Sequence, residues 1–221
     1  VADLEARGDQ LRTQKLYLDA LDYYRAALAK EPNSARLLNK MGIAELMMQR
    51  NREARKAFER SIKANQESAD AHNNLGVVYY EEKHYGPAIK EYRRAIALDD
   101  MSASFFSNLG AAQFSRKEFD QAVVSYQHAL ELDPDVFERT SRGGVQAQLP
   151  SPEDRARYDY TVAKLYAKMG FPDRSLEYLR KAMEEGYKDF KNVYKDTEFA
   201  ELRKDKRFAE LVATKVPALP E

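Results

Sequence analysis

The stretch from Ala69 to Ser102 reads as two amphipathic helices joined by a tight turn, and its key residues recur along the chain at one interval. Gly8, Gly42, Gly76 and Gly110 stand 34 residues apart. Ala20, Ala54, Ala88 and Ala122 keep the same step, as do the aromatics Tyr24, Phe58, Tyr92 and Tyr126. The pattern predicts four equal hairpins, over 1–34, 35–68, 69–102 and 103–136. Positions within each are counted here from one to thirty-four. A glycine inside a helix costs about 1 kcal/mol relative to alanine. Four at one register therefore call for a return, and the expected one is close helix packing against the alanine at position twenty, with the aromatic filling the gap towards the next hairpin. Pro32 and Pro134 are expected to stop the second helices, since the residue before a proline is pushed out of helical geometry.

A 34-residue helix-turn-helix unit with a large residue at four, Leu at seven, Gly at eight, Ala at twenty, an aromatic at twenty-four and Pro at thirty-two resembles the tetratricopeptide repeat. Repeat one departs at Arg7, which reads as part of a polar N-terminal cap. Repeat two is the weakest match, with Glu45 in place of Tyr, Arg55 for an aliphatic residue and Gln66 for Pro. The resemblance implies an all-α fold, a right-handed α-solenoid of stacked hairpins.

After Val136 the period breaks. Residues 137–155 read as an inserted loop containing Gly143-Gly144, Pro150 and Pro152, and Ser151-Pro152-Glu153-Asp154 reads as a strong helix start. Ala163, Ser175, Leu179 and Ala182 then reproduce the offsets of Gly8, Ala20, Tyr24 and Ala27. Residues 156–188 are thus a degenerate fifth repeat, its first helix closed by Gly170 and its second by Gly186. Residues 189–221 read as one or two short capping helices starting at Thr197 and Asp205, similar to the segments that close bacterial arrays of this family. The whole is expected to form one continuous solenoid.

Composition narrows the function classes. The chain is 33% charged and 43% hydrophobic, normal for a folded helical protein. Lys plus Arg number 36 and Asp plus Glu also 36, so no net field draws nucleic acid or an anionic membrane. No apolar run approaches the roughly 20 residues needed to span a bilayer. With no cysteine there is no disulfide framework and no thiolate nucleophile. Compartment stays open between cytoplasm and periplasm. Val1 in place of Met reads as a trimmed N-terminus, and the missing part, a signal peptide for example, would decide.

Candidate chemistry is sparse. His72 falls at the large-residue position four of repeat three, where a packed, hydrogen-bonded ring is expected. His84 falls in a turn and His128 on an outer face, and no histidine is read as pairing with a carboxylate at i+3 or i+4, so neither a metal site nor a general base is indicated. Gly143-Gly144 lacks the Lys-Ser/Thr of a phosphate loop. Glu59 with Lys63, and Glu177 with Lys181, are expected as exposed i, i+4 pairs. Lys204, Lys206 and Arg207 form a small basic cluster without an aromatic stacking face. No cofactor is implied.

What remains comes from the resemblance. In the family, positions two, five, six, nine, twelve and thirteen of the first helix line the inner surface. They map to Asn39, Ile43, Leu46 and Met47 in repeat two, and to Asn73, Asn74, Val77, Tyr80 and Glu81 in repeat three. Repeat four adds Ser107, Asn108, Ala111 and Phe114. The asparagine amides can donate to and accept from an extended peptide backbone, and Ile43, Val77 and Ala111 would form an apolar floor. A carboxylate clamp of the co-chaperone kind is not expected, because Glu5, Asp9, Lys40, Asp70 and Asn74 reverse much of its charge. The function implied is a non-catalytic protein–protein interaction scaffold, monomeric or weakly oligomeric, that holds a peptide or helical segment of a partner. Substituting Asn74, Val77 and Asn108 is expected to weaken partner binding without changing the melting temperature. Two other readings stay open: a cell-envelope assembly factor of the secretin or pilus pilot type, and a small-molecule sensor or enzyme accessory site at residues 137–160 using Asp154, Arg155, Tyr158 and Tyr160.

Overall fold

The computed structural model describes residues 1–138 and 152–214. Among them every regular element is helical. The chain divides into two compact units, residues 1–147 and 148–221.

Among the described residues the first unit holds eight helices: α1 (Ala2–Thr13), α2 (Tyr17–Lys30), α3 (Ala35–Met47), α4 (Asn51–Ala64), α5 (Ala69–Glu81), α6 (Tyr85–Leu98), α7 (Ala103–Ser115) and α8 (Phe119–Leu132). They pair as α1/α2, α3/α4, α5/α6 and α7/α8, and each second helix packs on the next first helix. The glycines sit at equivalent crossing points, but their partner differs from the expected one. A Cβ built on Gly8, Gly42, Gly76 or Gly110 would lie 2.5–2.6 Å from the ring of Tyr24, Phe58, Tyr92 or Tyr126 of the same repeat. The nearest neighbour is thus the aromatic at twenty-four and not the alanine at twenty. These rings are buried, so each hairpin closes on its own aromatic, which also shares a core cluster with the next repeat: Tyr24 with Leu37 and Leu38, and Tyr92 with Leu109 and Ala112.

Each hairpin turn is built alike. The residue at position fifteen has a left-handed backbone: Lys15 (φ 62), Gln49 (φ 60), Lys83 (φ 61) and Lys117 (φ 65). The next residue's N–H reaches back to the carbonyl at position eleven, as in Arg50 to Glu45 at 3.0 Å and His84 to Tyr79 at 2.8 Å. This is the Schellman closure, which normally uses glycine because a side chain in this region costs roughly 1–2 kcal/mol. Lys83→Gly is therefore expected to raise stability by about 0.5 kcal/mol, the relief of strain outweighing glycine's greater freedom in the unfolded chain. Urea unfolding of the single variant and of the four combined measures it.

Two second helices end without a proline. α2 and α8 stop ahead of Pro32 and Pro134, yet α4 and α6 stop at the same position ahead of Gln66 and Asp100. Position thirty-one explains this. Asn65, Asp99 and Asp133 each accept, at 3.1, 3.0 and 2.9 Å, a bond from the N–H two residues on. An Asx turn ends the helix, and Pro is optional.

The second unit pairs α9 (Pro152–Lys168) with α10 (Pro172–Glu184). Gly170 (φ 81) occupies the position of the left-handed lysines, and Gly186 (φ 74) follows α10. Ser151 and most of the 137–155 segment lie outside the described residues. Among the described residues of the tail, 3₁₀ turns at Phe190–Tyr194, Thr197–Phe199 and Leu202–Lys204 precede one α-helix, α11 (Lys206–Ala213). Thr197 opens only a 3₁₀ turn, whereas Asp205 caps α11 by accepting from the Arg207 N–H at 2.9 Å. Tyr160 ties the tail down. Its ring stacks on Tyr187 at 4.5 Å and meets Phe199 edge-on, and its hydroxyl donates to Asp196 at 2.8 Å.

Asp159 of α9 is buried and finds no hydrogen-bond donor among the described residues. Burial first, then Glu185, push its pKa up to about 7 against Lys181 and Arg155. Both cations are engaged elsewhere, Lys181 with Glu177 at 2.7 Å and Arg155 with Glu185 at 3.6 Å. The folded chain thus keeps a proton that the unfolded chain releases near pH 4, and stability falls as pH rises from about 4 to 7. Between pH 5 and 8 this group is expected to remove about 2 kcal/mol, solvent screening included, and Asp159→Asn to abolish that loss. Urea unfolding of both proteins at the two pH values measures it.

Candidate interaction surface

One register links the first helices. The side chain at position five bonds the side chain at position six of the next repeat, always 35 residues on. Lys40 donates to Glu5 at 2.6 Å, Asn74 to Asn39 at 3.0 Å and Asn108 to Asn73 at 2.9 Å. Asn73 also donates to Asn74 at 3.2 Å, so four amides form one continuous chain across α3, α5 and α7. Tyr80 and Ser115 repeat the 35-residue step at 3.0 Å. At the α1–α3 end the link is ionic. Lys40 also meets Asp9 at 2.5 Å, Arg36 meets Glu5 at 2.7 Å, and Tyr24 donates to Asp9 at 2.8 Å. The acceptors Glu5, Asn39 and Asn73 and the donors Lys40, Asn74 and Asn108 were the available sequence signal for this seam.

Burial sorts the twelve candidate residues. Asn73, Asn74, Val77 and Asn108 are 0% exposed, and Tyr80, Ser107, Ala111 and Phe114 are also buried. Asn39 and Ile43 are half-buried, while Met47, at 47%, and Glu81 are exposed. Ile43, Val77, Tyr80 and Ala111 do come together, Ile43 packing on the core cluster that holds the other three. Phe114 lies 5.0 Å from Phe119 and 6.4 Å from Tyr126, both in its own repeat. The asparagine side chains bond one another in a dry seam, so replacing Asn74, Val77 or Asn108 disturbs the fold itself and cannot report on binding alone. Burial raises the Glu81 carboxyl above its usual range, and a hydrogen bond with Asn51 partly offsets this.

The histidines take structural places. His72 is buried, with Nδ1 2.7 Å from Glu91 and Nε2 3.2 Å from the Gln66 carbonyl, and Arg94 holds Glu91 at 2.7 Å. Contrary to the expectation, His128 does face a carboxylate at i+3, Glu131 at 3.6 Å. Both side chains are about half exposed, so water weakens the contact. Among the described residues no group of three or more His, Asp or Glu is arranged to hold a metal ion. Of the two expected i, i+4 pairs, Glu177–Lys181 forms at 2.7 Å, whereas Glu59–Lys63 does not close. Arg155 and Tyr160, considered for a sensor site, are engaged in the packing of the second unit. No helix among the described residues is long and apolar enough to cross a membrane.

Residues 39–100 match one tetratricopeptide-repeat family model and residues 103–136 a second. No curated protein matches the chain. Among solved structures, MamA aligns with a TM-score of 0.56 at 24% identity over 80% of this chain and 93% of that one. MamA from Desulfovibrio magneticus RS-1 gives 0.58 at 19% over 82% and 92%. YrrB, a tetratricopeptide-repeat protein with an unusual peptide-binding site, gives 0.54 at 20% over 83% and 84%. At these identities the likeness is one of fold. The hairpins, their glycine–aromatic crossings and the two family matches agree: residues 39–136 carry tetratricopeptide repeats, and the first unit is an all-α solenoid of such hairpins.

Proposed function

We propose that this chain is a non-catalytic protein–protein interaction scaffold that holds an extended or helical segment of a partner against the first helices of repeats two and three. The observation that carries this reading is the accessible group Asn39, Ile43, Met47 and Glu81 beside a rigid polar seam. An exposed methionine next to a half-buried isoleucine offers apolar contact, and Glu81 and Asn39 offer orientation. A pre-ordered inner face lowers the entropy lost on binding. YrrB, of the same fold, has a peptide-binding site, which supports the class of ligand. In this reading the chain acts as a monomer or weak oligomer, with 156–188 a fifth repeat and 189–221 a cap.

The test uses Met47→Glu with Glu81→Lys, both at exposed positions. Cross-linked partners captured by the native chain should be lost from the variant, with the melting temperature unchanged. Recovery of the same proteins at the same salt by a variant that melts normally would reject the inner face as the binding surface.

A further inference from the structure

The whole chain is neutral, yet its outer face is not. Arg52, Lys56, Arg60 and Lys63 all stand exposed on α4, and none forms an ion pair among the described residues. On the adjacent second helix α6, Lys90 and Arg93 are likewise exposed and unpaired. Only Glu53 and Glu59 oppose these six cations. Beside them, between α2 and α4, runs a groove of about 470 Å³ with Leu28, Pro32, Met41 and Ala57 among its lining and Lys56 and Arg60 at its rim. The groove lies between repeat one and repeat two, the repeat that departs most from the pattern. Where repeat three sets Tyr79 against its core, repeat two has Glu45, buried and matched by Arg25 at 3.6 Å and Arg50 at 3.4 Å. The internal carboxylate is thus already neutralised, and the rim cations are left to face outward.

We infer that the outer groove between α2 and α4 docks an acidic protein segment carrying one apolar anchor side chain, with Lys56 and Arg60 reading its carboxylates. Charge complementarity selects an anion, and the apolar lining selects a segment with a side chain to insert. No exposed aromatic ring lies on this face to stack bases, which disfavours RNA. The large exposed apolar residues lie elsewhere, which disfavours insertion into a bilayer. The site is separate from the inner face, so either can fail without the other.

The probe is a fluorescein-labelled Asp/Glu-rich peptide with a single central Leu, titrated into the full chain by anisotropy. Lys56→Glu with Arg60→Glu should weaken it about tenfold or more, and the affinity should fall steeply with salt. Replacing the peptide's Leu by Gly should also weaken it, while Lys206→Glu and the Met47→Glu/Glu81→Lys variant should bind as the native chain does. Unchanged affinity in the Lys56/Arg60 variant overturns the proposal. So does tighter binding of phosphatidylserine vesicles or poly(U) RNA that the same variant abolishes, because the face would then read charge alone.

Discussion

Gly76→Val is expected to destabilise the protein by about 2–3 kcal/mol, the usual range for overpacking a core that cannot give way. Even the first carbon of the new side chain would lie 2.6 Å from Tyr92 Cε1 and 2.8 Å from Cδ1. The ring that must yield is 0% exposed and packed in the core cluster with Leu75, Ala88 and Ala112. Gly76→Ala should lose less, because the better helix propensity of alanine returns about 1 kcal/mol. Adding Tyr92→Leu to Gly76→Ala should recover part of the loss, the two changes relieving one contact. Gly86→Ala is the control. Its Cβ would meet only Arg116, at 3.8 Å, so that variant should be as stable as the native chain or more so. Thermal and urea unfolding of the four proteins decide the matter. Equal stability of Gly76→Val and Gly86→Ala would remove the glycine–ring contact as the basis of the hairpin.

The second large effect belongs to the amide chain. Asn73 accepts from Asn108 and donates to Asn74, and all three are fully buried. Asn73→Ala deletes both bonds and leaves the Asn74 carbonyl oxygen without its donor, for an expected loss of about 2–3 kcal/mol. Asn39→Ala, at the half-buried end, should lose less than about 1 kcal/mol, because water replaces part of the missing bond. A double-mutant cycle between Asn73 and Asn108 should give a coupling of about 1 kcal/mol, whereas Asn73 with Gly8, two repeats away, should be additive. The amides therefore act before any partner arrives, by locking each repeat to the next at one register. This also reassigns the binding test. A variant at Asn74, Val77 or Asn108 that loses a partner has first lost packing, and only exposed positions such as Met47 and Glu81 separate recognition from folding.

Much of this architecture was legible in the residues. The 34-residue step set the hairpin boundaries, Gly170 and Gly186 marked the ends of the fifth pair, and Asp205 marked the last helix. Each of these is a local property, fixed by hydrophobic spacing, capping chemistry or backbone freedom over a few neighbouring residues. The misreadings share the opposite character. The glycines were matched to the wrong partner because Ala20 and Tyr24 lie one turn apart on the same helix, and only the crossing angle decides which faces Gly8. Beside Pro134 the Asp133 side chain supplies a stop of its own, as Asn65 and Asp99 do where no proline stands.

By itself, then, the order of residues determined the repeat, the all-α class and which side chains recur at equivalent positions of the first helices. Tertiary structure alone decided which of those are accessible and which are spent on each other. The reason is one of range. A helix face is specified within about 3.6 residues per turn, whereas the bonds that join Glu5 to Lys40, Asn39 to Asn74 and Asn73 to Asn108 exist only once whole hairpins have stacked.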